Sequence, residues 1–185
     1  VGSKAVVVSD GDFSAVTFSA EVEQATAIAA WCREQPYVQQ DALYLSGHSM
    51  GGAIVSVIAP QVKPKAAILW SPGNSAYYDI SGRVHAVPGR YKASYDIGGL
   101  ELSGIFFDDI RKWDIVEKSR GYEGPVLLVH GEYDEKIPIA SIGPYMDMYG
   151  DQVKVHIVDG ANHQFSTLEW KKELYDVTME FLNGF

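Results

Sequence analysis

The chain has 185 residues, a net charge of −9 and a sequence pI near 4.9. Its apolar fraction of 46% is enough for a packed core and too high for disorder, and the acidic balance argues against nucleic acid and anionic membrane surfaces as partners. The single cysteine, Cys32, excludes an intrachain disulfide, no apolar stretch approaches a membrane span and no signal peptide is visible, so the expected location is cytoplasmic.

Length alone predicts one domain, 1–185. Residues 5–8 (AVVV) read as a short buried strand, and Ser9-Asp10-Gly11-Asp12 as turn chemistry. Ser19 reads as a helix N-cap, with Glu21 and Glu23 in the first turn. Val22, Ala25, Ala29 and Cys32 then give helical spacing up to Glu34, before Pro36. Residues 43–46 predict a strand, and 50–59 a helix ended by Pro60. Residues 66–70 (AAILW) predict a strand stopped by Ser71-Pro72-Gly73, and 125–130 (PVLLVH) another, stopped by Gly131. A helix is expected over 139–149, an alternating edge or near-edge strand over 153–158 (VKVHIV), and a final amphipathic helix over 165–182.

Apolar strands alternating with helices predict an α/β architecture, a mainly parallel sheet with helices on both faces. The rhythm breaks between Pro72 and Gly124. That stretch carries many glycines and the aromatics Tyr77, Tyr78, Tyr91, Tyr95, Phe106, Phe107 and Trp113. An interruption of this length, about 73–122, reads as a lid. The alternative is a helical excursion packed around its own small core.

One short segment carries chemistry. Gly47-His48-Ser49-Met50-Gly51 fits G-x-S-x-G, set between a strand and a helix. A strand that turns at once into a helix bends sharply, strains the backbone at the serine and brings its neighbours close. Glycines two before and two after remove side chains that would collide. The hydroxyl is then held at the amino end of a helix, where N–H groups and a positive partial charge can meet an oxyanion. Such a serine needs a base, usually a histidine held by a carboxylate. In this topology the partners follow in the order acid, then histidine, at the ends of later strands. Asp134, after PVLLVH, and His163, after VKVHIV, stand in that order. Glu132, Glu135 and Asp159 are rival acids. His156 is expected on the polar face of its strand, His130 as a brace for the acid loop, His85 within the insertion and His48 in a structural role. No histidine spacing suggests a metal site.

The runs GHSMGG, PVLLVHGEYDEKIP and DGANHQF resemble the α/β-hydrolase superfamily, and within it the bacterial cinnamoyl or feruloyl esterase-like serine esterases. SDGDFS and YDIGGLELSGIFFDDI are similar to that group as well, so the resemblance runs from Ser9 onward. It implies Ser49 as nucleophile, His163 as base and Asp134 as the acid that orients it. The insertion would roof an acyl pocket for an aromatic acid such as ferulate or p-coumarate, with Tyr77, Tyr95, Phe106 and Trp113 as candidate contacts. Short-chain acyl esters are usually accepted too. No cofactor or metal is implied, and the partner is a small-molecule ester. Members of that group carry further upstream strands, including one whose His-Gly-Phe-like loop gives a second oxyanion N–H. VGSKAVVV does not match it, which leaves the Met50 N–H as the assignable donor and predicts a shortened α/β-hydrolase fold. The strand over 43–46 would then be an open edge, covered by AVVV or by a second subunit in a homodimer. The readings kept beside the esterase are a thioesterase, lactonase or peptidase on the same scaffold, and a catalytically weak interaction module.

Overall fold

The computed structural model describes residues 12–85, 87 and 89–185. The strand expected over 5–8 and the turn residues 9–11 lie outside the described residues.

A 3-10 turn, Phe13–Ala15, leads into α1, Phe18–Glu34. The cap of α1 is Thr17, not Ser19. Thr17 is extended (φ −135, ψ 155) and its side chain accepts from Ala20 N–H, as an N-cap must. Ser19 falls inside the first turn and finds a different acceptor. Its N–H and Oγ donate to the two carboxylate oxygens of Asp109, at 2.8 and 2.7 Å.

The main sheet has four parallel strands: β1 (Tyr44–His48), β2 (Ala66–Trp70), β5 (Val126–Gly131) and β6 (Val153–Val158), in the spatial order β1-β2-β5-β6. The central pair, β2 and β5, is buried almost throughout, which is why both read as continuous apolar runs. Alternation sorts their side chains to two faces. Ala67, Leu69, Val126 and Leu128 face a large core with residues of α1 and of α2 (Met50–Val62). Ile68, Leu127, Val129 and Val158 face a second core closed by Phe165 and by Leu174 of α7 (Leu168–Leu182). Within the described residues β6 and β1 are the edges, and Ser46 of β1 is exposed.

Helix α2, Met50–Val62, does not stop at Pro60. A proline removes only its own N–H bond, and the following N–H groups can still reach back. Ile58 and Ala59 are buried against the sheet, and Lys63, in the left-handed region, closes the helix with its N–H on Ala59 O at 2.8 Å. The helix expected over 139–149 is a 3-10 turn, Ile139–Ile142, followed by α6, Gly143–Tyr149. The final helix starts at Leu168, capped by Thr167, rather than at residue 165.

The stretch between β2 and β5 has structure of its own. It holds α3 (Ala76–Arg83), an antiparallel hairpin of β3 (Ser94–Ile97) and β4 (Leu100–Ser103), then α4 (Ile105–Ile110) and α5 (Ile115–Lys118). Phe106, Phe107, Ile110 and Ile115 join the same core as Ile54 and Ile58 of α2. The insertion is therefore anchored in the main body rather than built around a separate core. No helix among the described residues is long and apolar enough to cross a membrane.

Candidate active site

The turn from β1 into α2 puts Ser49 in a left-handed conformation, φ 57 and ψ −121, which a residue with a Cβ adopts only under constraint. The constraint is visible on both sides of the residue. Ser49 N–H donates to Trp70 O of β2 at 2.8 Å, and Ser49 O accepts from Gly73 N–H at 2.9 Å. The bend needs small neighbours, but not the pair expected. A Cβ at Gly47 would lie 2.2 Å from Gly51 O, and one at Gly52 would lie 3.1 Å from Gly47 O and from Pro72 Cα. A Cβ at Gly51 would meet nothing within 4 Å. The close approaches are therefore at 47 and 52.

Ser49 Oγ lies 2.9 Å from His163 Nε2. His163 Nδ1 lies 2.7 Å from Asp134 Oδ2. The carboxylate accepts from Nδ1–H, which leaves the Nε2 lone pair to accept the serine proton. The other oxygen of Asp134, Oδ1, accepts from the backbone N–H groups of Lys136 (2.9 Å) and Ile137 (2.8 Å). His163 is 3% exposed and Asp134 7% exposed. Burial pushes the Asp134 carboxyl up, but the bonds from His163, Ile137 and Lys136 outweigh it and hold the group below the ordinary carboxylate range. The rival acid Glu132 is engaged elsewhere. Glu132 Oε2 accepts from Gly160 N–H at 2.9 Å, which ties the acid loop to the histidine loop. Tyr133 N–H adds a second tie, to Ala161 O at 2.9 Å.

Two further histidines surround this relay. His130 is fully buried, and its Nε2–H donates to Ile137 O at 2.9 Å, 3.5 Å from Asp134 Oδ2. It braces the acid loop from below. His48 Nε2–H donates to the carbonyl of His163 at 2.8 Å, a contact the sequence did not reveal. Burial lowers the basicity of both rings. His156, on β6, pairs instead with Glu173 of α7 at 2.7 Å.

Met50 is the first residue of α2, so its N–H has no carbonyl one turn back in the helix. The candidate aromatics separate into two groups. Tyr77 and Trp113 line a cavity of about 620 Å³, together with Tyr78, Asn74 and Arg111. Asn74, which also lines it, follows Gly73, which bonds Ser49. Phe106, 2% exposed, is core, and Tyr95 packs on Phe107 with its hydroxyl accepting from Lys92 N–H. No group of three or more His, Cys, Asp or Glu side chains suited to a metal ion occurs among the described residues.

A parallel sheet with helices on both faces, a strained serine at a strand–helix turn and a histidine and acid on later loops define the α/β-hydrolase class. The chain matches the Prolyl oligopeptidase family over residues 17–184, and it belongs to that family. A comparison with curated protein sequences returned no match. Among solved structures, the chain is similar to Est1E from Butyrivibrio proteoclasticus, with TM-score 0.74, 23% identity, and 92% of this chain and 72% of that one covered. The same protein with ferulic acid bound gives TM-score 0.78 at 23% identity, covering 95% of this chain and 73% of that one. Mouse α/β-hydrolase domain-containing protein 10 gives TM-score 0.73 at 17% identity, covering 98% and 75%. At these identities the likeness is one of fold.

Proposed function

We propose that the chain is a carboxylic ester hydrolase working through an acyl-enzyme, on cinnamoyl, feruloyl or short-chain acyl esters. The observation that carries this reading is the continuous relay Ser49–His163–Asp134, with separations of 2.9 and 2.7 Å. Ser49 Oγ attacks the acyl carbon while His163 Nε2 takes its proton. The oxyanion forms at the amino end of α2, where the Met50 N–H donates to it. His163 then protonates the departing alcohol, and the acyl group stays on Ser49. Water attacks that ester with His163 as base, the acid leaves and the serine proton returns. Asp134 keeps Nδ1 protonated and stabilises the imidazolium.

The aromatic acyl group is supported by the cavity that Tyr77, Tyr78 and Trp113 line, and by the likeness to a structure with ferulic acid bound. In this reading the insertion, about 73–122, is the roof of the acyl pocket. A second copy of the chain pairing along β1 belongs to the same proposal, and a compact monomer at high concentration in scattering would remove that part.

The family match favours a second reading, a peptidase using the same relay. A panel of p-nitrophenyl butyrate, methyl ferulate, an acyl thioester, a lactone and a prolyl peptide anilide separates the readings. We expect turnover of the first two above Ser49→Ala, and stoichiometric labelling of Ser49 by a fluorophosphonate. Turnover of the anilide alone transfers the assignment to a peptidase. No labelling and no turnover leaves the interaction-module reading.

A further inference from the structure

His163 must be held far from its own strand. It follows β6, at one edge of the described sheet, and it meets Ser49, which follows β1 at the other edge. Three strand spacings separate those edges, roughly 14 Å. The loop over 159–165 therefore crosses the tops of β5 and β2. Such a loop has no ladder to fix it, and its backbone is held by separate bonds.

Two of those bonds come from the β5 side. Glu132 Oε2 takes Gly160 N–H at 2.9 Å, and Tyr133 N–H donates to Ala161 O at 2.9 Å. Both stop short of residue 163. From the β1 side, His48 Nε2–H donates to the carbonyl of His163 itself at 2.8 Å. The His48 ring also packs against two side chains of the same loop, with ring centroids 4.8 Å from His163 and 6.3 Å from Phe165. Phe165 is buried and has φ 47, so the loop makes its sharp left-handed step where His48 supports it.

We propose that His48 is a positioning residue for the reaction: it clamps the backbone of His163 to the segment that carries the nucleophile. This rests on the hydrolase reading above. His48 and Ser49 are consecutive, so one short stretch sets the serine and also the residue that takes its proton. The distance between Oγ and Nε2 then follows from local geometry at the elbow and no longer from a span across the sheet. Because the acceptor is a carbonyl, Nε2 of His48 must carry the hydrogen. The clamp works with the neutral ring, so no second positive charge stands beside the imidazolium that forms at His163.

Two variants divide the ring from its donor. His48→Phe keeps an aromatic ring against His163 and Phe165 and removes the N–H. His48→Gln removes the ring and presents an amide N–H near the position of Nε2. With p-nitrophenyl butyrate, His48→Phe is expected to lower kcat about 10- to 100-fold with little change in KM, since a misplacement of about 1 Å is enough for such a loss. The fluorophosphonate labelling rate should fall in parallel, and His48→Gln should restore most of both. Measurements are made well below the melting temperature of each variant, so lost folding is separated from lost positioning. His48→Phe reacting at the wild-type rate, or His48→Gln impaired as deeply as His48→Phe, overturns the proposal. Wild type that labels no faster than Ser49→Ala overturns the hydrolase reading and takes this proposal with it.

Discussion

The carbonyl oxygen of Gly51 occupies the space that a side chain at Gly47 would need, 2.2 Å from where its Cβ would sit. The contact is backbone on backbone, between the end of β1 and the first turn of α2, and neither can move without opening the elbow. Gly47→Ala is expected to destabilise by at least the 1–3 kcal/mol typical of overpacking. Gly51→Ala, with nothing within 4 Å, should be neutral or stabilising by about 0.5–1 kcal/mol, because alanine suits a helix better. Thermal melts of the two variants side by side check this, and equal losses would contradict it.

The conformation of Ser49 stores strain that the hydroxyl alone does not explain. A non-glycine residue at φ 57, ψ −121 costs about 1–3 kcal/mol. Ser49→Ala and Ser49→Gly both remove the hydroxyl, but only the second relieves the backbone. Ser49→Gly should melt higher than Ser49→Ala, by the few degrees that about 1 kcal/mol gives in a domain of this size. Equal melting temperatures would mean that the elbow holds its residue without strain.

The elbow was legible in the sequence because its constraints are local: a glycine, a serine and flanking apolar runs within a dozen residues. The order of Asp134 and His163 was legible because both follow strands with strong apolar signals. What sequence did not show depends on distant backbone. Gly51 looked necessary and Gly52 did not, since the collision at 52 is partly with Pro72, after β2. Ser19 looked like a cap from its place before Glu21 and Glu23, and its bond to Asp109, 90 residues on, left no local mark. His48 touches a carbonyl 115 residues away, across the whole sheet. The hairpin of β3 and β4 was within reach: Gly98 and Gly99, both with positive φ, make the two-residue turn that Gly-Gly favours. Its strands are only four residues each, and they alternate too briefly to stand out in an irregular stretch.

In the proposed mechanism Asp134 sets the tautomer of His163 through the 2.7 Å contact with Nδ1, so charge and hydrogen-bonding can be tested apart. In Asp134→Asn, Oδ1 can still accept from the N–H groups of Lys136 and Ile137, and the loop should keep its shape. The amide can present an N–H to Nδ1, which moves the ring hydrogen to Nε2 and removes the acceptor for Ser49. The expected loss in kcat is roughly 10³–10⁴-fold, as for triads generally, with a melting temperature close to wild type. An Asn variant that retains a tenth of the wild-type kcat would show that another group orients the ring.

Acidification should weaken the fold in two separate ranges. His48 and His130 both ionise less readily than a free histidine, because burial disfavours the charged ring more than the bonds to His163 O and Ile137 O favour it. With folded values below the ordinary 6.5, the unfolded chain binds more protons than the native one as pH falls through that value. Their contribution is fully present above about pH 6.5 and is lost as pH falls from there towards the lowered folded values. Asp134 acts lower: its carboxyl is held below 3.8, so its contribution persists above that value and disappears only as pH falls through the folded value. Urea midpoints at pH 7.5 and 5.0 isolate the first range. Wild type should unfold at lower urea at pH 5.0. The double variant His48→Gln/His130→Gln keeps two amide donors, loses two titrating rings, and should show a smaller difference between the two pH values. The same difference in both proteins would place the acid sensitivity outside these two rings.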